Sequence, residues 1–160
     1  TALMAYQARG LEENGVIATY KHLIANNMEF ERKSAHGIID ENTLRDLYLR
    51  VFDKAFSLYK PGCVMTSYNP VNGIYPCENS ALLNDLLRGE WGFDGFVMTD
   101  WGSYDTADSI RSVCAGTNLL TPGSKKHFRM ILKAVKRNEI SKAALQHSVK
   151  QIVKVLVRCI

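Results

Sequence analysis

The chain has 160 residues, 46% of them hydrophobic and 22% charged, with a formal net charge of +4. That length and balance fit one domain with a real core and exclude a disordered tail. No apolar run approaches the roughly 18 residues needed to cross a bilayer, and Thr1 to Gly10 lacks the basic start and apolar centre of a secretory signal.

Short apolar strands alternate with amphipathic helices along the chain. Val16–Tyr20 reads as a first strand running into Lys21 and His22. Leu44, Leu47, Tyr48, Val51, Phe52, Ala55 and Phe56 then repeat at helical spacing, with Asp40 or Asn42 as the cap. Cys63–Ser67 is a second strand, entered through Pro61-Gly62. A helix with Asn79 or Ser80 as cap, Leu82, Leu83, Leu86 and Leu87 inside and Gly89 as stop follows it. Gly95–Thr99 is a third strand, followed by a helix from about Tyr104 to Ala115. Thr117–Thr121 is a fourth strand, closed by Pro122-Gly123. Phe128, Ile131, Leu132 and Val135 mark another helix, and Leu145, Val149, Ile152, Val153 and Leu156 a last one.

Continuous apolar strands separated by helices imply a parallel sheet with both faces covered. Four such units fit a small open α/β sheet or half of a (β/α)8 barrel, since a whole barrel takes about 250 residues.

The four cysteines, Cys63, Cys77, Cys114 and Cys159, form no CxxC pair. Isolated cysteines of this kind are expected to be reduced and buried, which favours a cytoplasmic over a secreted setting. The histidines are scattered, so no metal site and no cofactor is expected. Residues 1–123 carry ten Lys/Arg against fifteen Asp/Glu, whereas residues 124–160 carry ten against Glu139 alone. The basic residues of that tail lie around amphipathic helices without interleaved aromatics. A solvated face explains them better than nucleic acid or a membrane.

In parallel α/β folds functional side chains gather at the carboxyl ends of strands. Here the first strand leads into Lys21-His22, the second ends in Ser67-Tyr68-Asn69 and the third in Asp100-Trp101. A carboxylate, a cation, an imidazole and two aromatics suit a sugar, which needs polar partners for its hydroxyls and an aromatic face for its C–H surface. Each residue also has a plainer reading. Asp100 could cap the next helix, Lys21 could pair with an acid, His22 could be a satisfied core histidine, and Tyr68 and Trp101 could be packing aromatics.

Five segments together resemble glycoside hydrolase family 3. Lys21-His22 with Asn26-Asn27, Glu29 and Arg32 is similar to its KH…NN.E..R signature. Val64 to Gly73 is similar to its VM.SYN..NG segment, and Glu78 to Gly95 to its EN..LL…LR.EWGFDG run. Val97 to Trp101 is similar to its V.SDW nucleophile segment, and Ala115 to Gly123 to its AG..L..PG strand.

The resemblance implies the β-glucosidase-like branch and a (β/α)8 barrel present as its second half. The upstream half and the following domain are expected to lie outside these residues. It implies that Asp100 is the catalytic nucleophile. By the same resemblance Lys21, His22 and Arg32 bind sugar hydroxyls, Tyr68 stands beside the nucleophile and Trp101 follows it. The implied reaction is retaining hydrolysis of a β-glucoside or oligosaccharide, releasing terminal β-D-glucose or a similar sugar. Its acid/base carboxyl, about 5–5.5 Å from the nucleophile, is expected outside this chain. The N-acetylglucosaminidase branch has a KHFPGHG-type segment, where this chain has Lys21-His22-Leu23-Ile24-Ala25-Asn26. Asn118 and His147 stand where Asp is common in the family.

Two other classes remain open on the residues. One is a Schiff-base lyase using the Lys21 amine. The other is a non-catalytic piece that at most binds carbohydrate.

Overall fold

The structure is a computed structural model that describes residues 1–159. Three strands form one parallel sheet in the order β1 (Thr19–Leu23), β2 (Cys63–Thr66) and β3 (Phe96–Met98). Helix α1 (Ala2–Glu12) precedes the sheet. Between β1 and β2 a turn of α-helix at Glu41–Thr43 runs through a π-helical segment, Leu44–Leu49, into α2 (Arg50–Leu58). A π-helix, Ala81–Glu90, connects β2 to β3. Helices α3 (Ser109–Cys114), α4 (Lys125–Lys136) and α5 (Lys142–Leu156) complete the chain.

Strand β1 begins three residues later than the apolar run predicts. Its limits are set by pairing: Thr19 faces Cys63, Tyr20 faces Val64, and Leu23 faces Thr66 after an irregularity in register. Lys21 and His22 therefore lie inside the strand, at that irregularity, and Val16 is exposed. Thr117–Thr121 is not a full strand. Leu119 makes a parallel bridge to Met98, and the N–H groups of Asn118 and Leu119 both reach the Val97 carbonyl, at 2.8 and 3.1 Å. Two donors on one acceptor break the alternation that a ladder needs.

Helix α1 was not legible as an element in the sequence. Glu12 ties it to the start of the sheet: its carboxylate accepts from the N–H of Gly62 at 2.5 Å, from the N–H of Ala18 at 3.1 Å and from the Tyr59 hydroxyl at 2.9 Å. Of the two cap choices before Leu44, Asp40 is the one used, its carboxylate accepting from the N–H of Thr43 at 3.0 Å. Asn79 caps the next helix by accepting from the N–H of Leu82 at 3.1 Å. That helix does not stop at Gly89 but continues to Glu90. The turn comes at Gly92, whose φ of +61° only glycine adopts without strain. The helix expected from Tyr104 starts at Ser109 instead, because Asp108 accepts from the N–H groups of Ile110 and Arg111 at 2.8 and 2.9 Å and fixes the start there.

The main core lies between the sheet and the helices that link its strands. Phe56 sits at its centre, edge-on to Tyr20 and Phe93 and stacked on Trp91, with ring centroids 5.3 to 5.6 Å apart. Leu83, Leu87, Val64 and Val97 are fully buried around it. The apolar stripe that marks α4 and α5 in the sequence is only partly covered, and Phe128, Leu132, Val149 and Val153 stand exposed. Cys63 and Cys77 are buried free thiols, pushed by burial up to about 12 and about 11. Cys114 departs from the expected burial and is exposed, and the side chain of Cys159 lies outside the described residues. Among the described residues no helix is long and apolar enough to cross a membrane.

Candidate active site

The carboxyl edge of the sheet is held by a small set of hydrogen bonds. The Ser67 hydroxyl donates to the Ile24 carbonyl at 2.7 Å and accepts from the Ile24 N–H at 3.0 Å, joining the ends of β1 and β2. The Thr66 hydroxyl reaches the Met98 carbonyl at 3.4 Å, joining β2 to β3. Beyond β3, the Thr99 hydroxyl accepts from the Thr121 N–H at 2.9 Å and lies 3.1 Å from the Thr121 hydroxyl. The Thr121 hydroxyl donates to the Thr99 carbonyl, and the Thr121 carbonyl accepts from the Gly102 N–H at 3.0 Å. Thr121 thus grips the chain on both sides of Asp100 and Trp101.

Asp100 projects from that gripped turn with its side chain 13% exposed. One carboxylate oxygen accepts from the Trp101 N–H at 2.7 Å, and the other lies 3.4 Å from His22 Nε2. The His22 side chain is 30% exposed. Burial, the largest influence, lowers its pKa below the ordinary histidine value, and Lys21 and Arg32 push the same way. The attraction of Asp100 opposes them without prevailing. His22 is therefore neutral at pH 7, and the 3.4 Å contact is a neutral imidazole beside a carboxylate, too long for a strong hydrogen bond.

Tyr68 closes the third side. It is buried, and its hydroxyl donates to the Trp101 carbonyl. Burial first, then the Asp100 charge, lift its pKa above that of an ordinary phenol, against the pull of Arg32. The Arg32 guanidinium stands 4.5 Å from the centre of the Tyr68 ring while paired with Glu29 at 2.7 Å.

The sequence-selected residues divide accordingly. Asp100, His22 and Tyr68 converge, and Arg32 joins them through the Tyr68 ring. Lys21 is exposed and acts on His22 only through its charge. Trp101 is half exposed and meets the group through its backbone. Lys33, not singled out in the sequence, donates to Asp105 at 2.8 Å and to the Gly102 carbonyl at 3.3 Å, and stands 5.5 Å from the Tyr68 ring. Its position next to Arg32 was the only signal. Among the described residues no group of three or more His, Cys, Asp or Glu could hold a metal ion.

A parallel sheet carrying a carboxylate, an imidazole and a phenol at its carboxyl edge is an α/β protein built as a small-molecule site. The chain matches the model of the glycosyl hydrolase family 3 N terminal domain over residues 1–155. It is 38% identical over 157 residues to a probable beta-glucosidase I of Aspergillus flavus, covering 96% of this chain and 18% of that protein. To a probable beta-glucosidase J of Aspergillus fumigatus it is 39% identical over 150 residues, covering 92% and 17%. Among solved structures it superposes on beta-glucosidase 3B of Thermotoga neapolitana, in complex with glycerol, with a TM-score of 0.91 at 37% identity, covering 96% of this chain and 22% of that one. A family 3 beta-glucosidase of Bifidobacterium adolescentis gives a TM-score of 0.90 at 32% identity, covering 97% and 23%. The chain therefore belongs to glycosyl hydrolase family 3. It spans about a fifth of the length of these relatives.

Proposed function

We propose that the chain contributes the nucleophile and part of the sugar-binding surface of a retaining β-glucosidase, its βα units forming the second half of a (β/α)8 barrel. The observation that carries this reading is the Asp100 carboxylate, mostly buried and flanked by His22 at 3.4 Å and by the Tyr68 phenol. In such a site Asp100 attacks the anomeric carbon of a terminal, non-reducing β-D-glucose or similar β-sugar and forms a glycosyl-enzyme, which water then hydrolyses. A second carboxyl, outside the residues gathered here, protonates the leaving oxygen and then activates that water. Neutral His22 is suited to hydrogen-bonding a sugar hydroxyl without competing for the nucleophile's charge. Lys21 and Arg32 supply further donors, and Trp101 offers an aromatic face. The names of the relatives support this substrate class.

The test is Asp100→Asn in the longest gene product that carries this sequence, assayed on an aryl β-glucoside. The asparagine keeps the shape and removes the nucleophile, so turnover falls on the order of 10³-fold or more. Unchanged turnover removes the proposal. Borohydride trapping of a substrate on Lys21 would replace it with Schiff-base chemistry.

A further inference from the structure

Lys33 lies where the segments that follow all three strands meet. It belongs to the loop after β1, and its backbone carbonyl accepts from the hydroxyl of Tyr75, after β2, at 3.3 Å. Its amine donates to the Asp105 carboxylate at 2.8 Å and to the Gly102 carbonyl at 3.3 Å, both after β3. The same amine stands 5.5 Å from the centre of the Tyr68 ring, within reach of a cation–π attraction. A tight turn presents it. The Glu31 carbonyl accepts from the N–H groups of Ser34 and Ala35, both at 2.8 Å, and Glu31 itself has a φ of +48°. A residue with a side chain is uncommon in that left-handed region and stays there only where its surroundings impose it.

The turn that Lys33 reaches is the one that follows Asp100. The Asp100 carbonyl accepts from the Ser103 N–H at 3.1 Å, and the Gly102 carbonyl accepts from the Asp105 N–H at 3.1 Å as well as from Lys33. A displacement of Gly102–Asp105 therefore passes to the Asp100 backbone through the chain and through the Ser103 bond. Thr121 holds this turn at the Gly102 N–H, and Tyr68 holds it at the Trp101 carbonyl. Lys33 adds a hold from the loop after β1. An ammonium carries three donors, enough for Gly102 and Asp105 at once. The Lys33 and Asp105 side chains are 36% and 59% exposed, so this ion pair adds little to global stability. What it supplies is the place of the turn. We propose that Lys33 is a positioning residue, which acts on the Asp100 carboxylate by fixing the Gly102–Asp105 turn against the loop after β1. The proposal rests on the reading of Asp100 as the nucleophile and deepens it.

The test uses the longest gene product that carries this sequence, with Lys33→Met, Lys33→Arg, Asp105→Asn and the double variant Lys33→Met/Asp105→Asn. Steady-state kinetics on an aryl β-glucoside are read beside a urea melt and amide exchange of the peptide spanning Ser103 and Asp105. A small misplacement of a reacting group costs up to about a hundredfold in rate, and a partly exposed hold gives less. Lys33→Met therefore lowers kcat about tenfold and leaves KM within about twofold, since the loss falls on the chemical step. Its urea midpoint moves by less than about 0.3 M, while the Ser103–Asp105 peptide exchanges about fivefold faster. Lys33→Arg, which keeps the charge and several donors, regains most of kcat. The double variant is no slower than Lys33→Met, because both changes break one contact. Wild-type kcat and exchange in Lys33→Met overturn the proposal. So does a raised KM at unchanged kcat, which would make Lys33 a substrate contact, and so does a fall of kcat and midpoint together that arginine fails to restore. If Asp100→Asn hydrolyses as the wild type does, the reading of Asp100 falls, while faster exchange in Lys33→Met still keeps Lys33 as the residue that positions this turn.

Discussion

Thr99 and Thr121 hold the turn that presents Asp100, and Thr99→Val isolates that hold. Valine keeps the branched shape and loses the oxygen that accepts from the Thr121 N–H at 2.9 Å. Both residues are buried, so the orphaned N–H has no ready access to water. Leaving such a donor unpaired costs about 1–3 kcal/mol, and the added methyl returns at most about 0.8 kcal/mol. The net loss is about 0.2–2 kcal/mol. With a urea slope of about 2 kcal/mol per molar, the unfolding midpoint falls by about 0.1–1 M. Amide exchange separates the local effect from the global one. The Thr121 N–H exchanges about tenfold faster in Thr99→Val, as expected for losing one such bond, whereas Thr99→Ser keeps it protected. An unchanged midpoint with a protected Thr121 amide refutes the argument, and so does equal loss of protection in the serine variant.

Three further perturbations follow from the same packing. In Gly95→Ala the new Cβ overlaps the Gly62 carbonyl and the Phe93 ring where β2 and β3 begin; the clash is with backbone, so a loss of about 3 kcal/mol or more is expected in a urea melt. Asn118 accepts from Arg88 at 2.9 Å and from the Val97 N–H at 2.7 Å, and donates to Ser148 at 3.0 Å. Asn118→Ala removes one partner of the half-buried Arg88 guanidinium, which keeps the Gly95 carbonyl at 2.9 Å, and takes the acceptor from the buried Val97 N–H, a loss of about 1–3 kcal/mol, while Asn118→Asp, which pairs the Arg88 charge, is tolerated or stabilising by the same assay. His22 gives the chain a pH dependence. Its folded pKa lies below its ordinary value, so the unfolded chain takes up the proton first as pH falls. This contribution to stability is present above about pH 6.5 and is lost as pH drops through the window below it. Melts at about pH 7.5 and about pH 5 show this loss in the wild type and less of it in His22→Gln.

Most of the chain's architecture is written in local patterns. The apolar runs at Cys63–Ser67 and Gly95–Thr99 are strands because they are buried on both faces, and the helices between them have periodic apolar stripes and legible caps. The misses have physical causes. Strand β1 starts at Thr19 because pairing with Cys63 decides its limits, and pairing is not a local property. Helix α1 buries only Ala5 and Ala8, small residues that leave a weak stripe. The apolar faces of α4 and α5 are plain in the sequence, yet an exposed Phe128 or Val149 depends on whether another element covers it.

The site divides in the same way. Tyr68 and Asp100 follow β2 and β3 and could be found by position, and His22 lies inside β1, one residue before its end. Lys33 and the Thr99–Thr121 grip come from contacts between distant segments. No spacing rule points to them.

The central claim is that Asp100 is the nucleophile of a retaining glycosidase. Its most direct measurement is exposure of the longest gene product carrying this sequence to a 2-deoxy-2-fluoro-β-glucoside with a good leaving group, followed by peptide mapping. The account predicts a stoichiometric fluoroglycosyl ester on the peptide containing Asp100, absent in Asp100→Asn. A label on any other carboxylate, or turnover of the reagent with no covalent label, would contradict it.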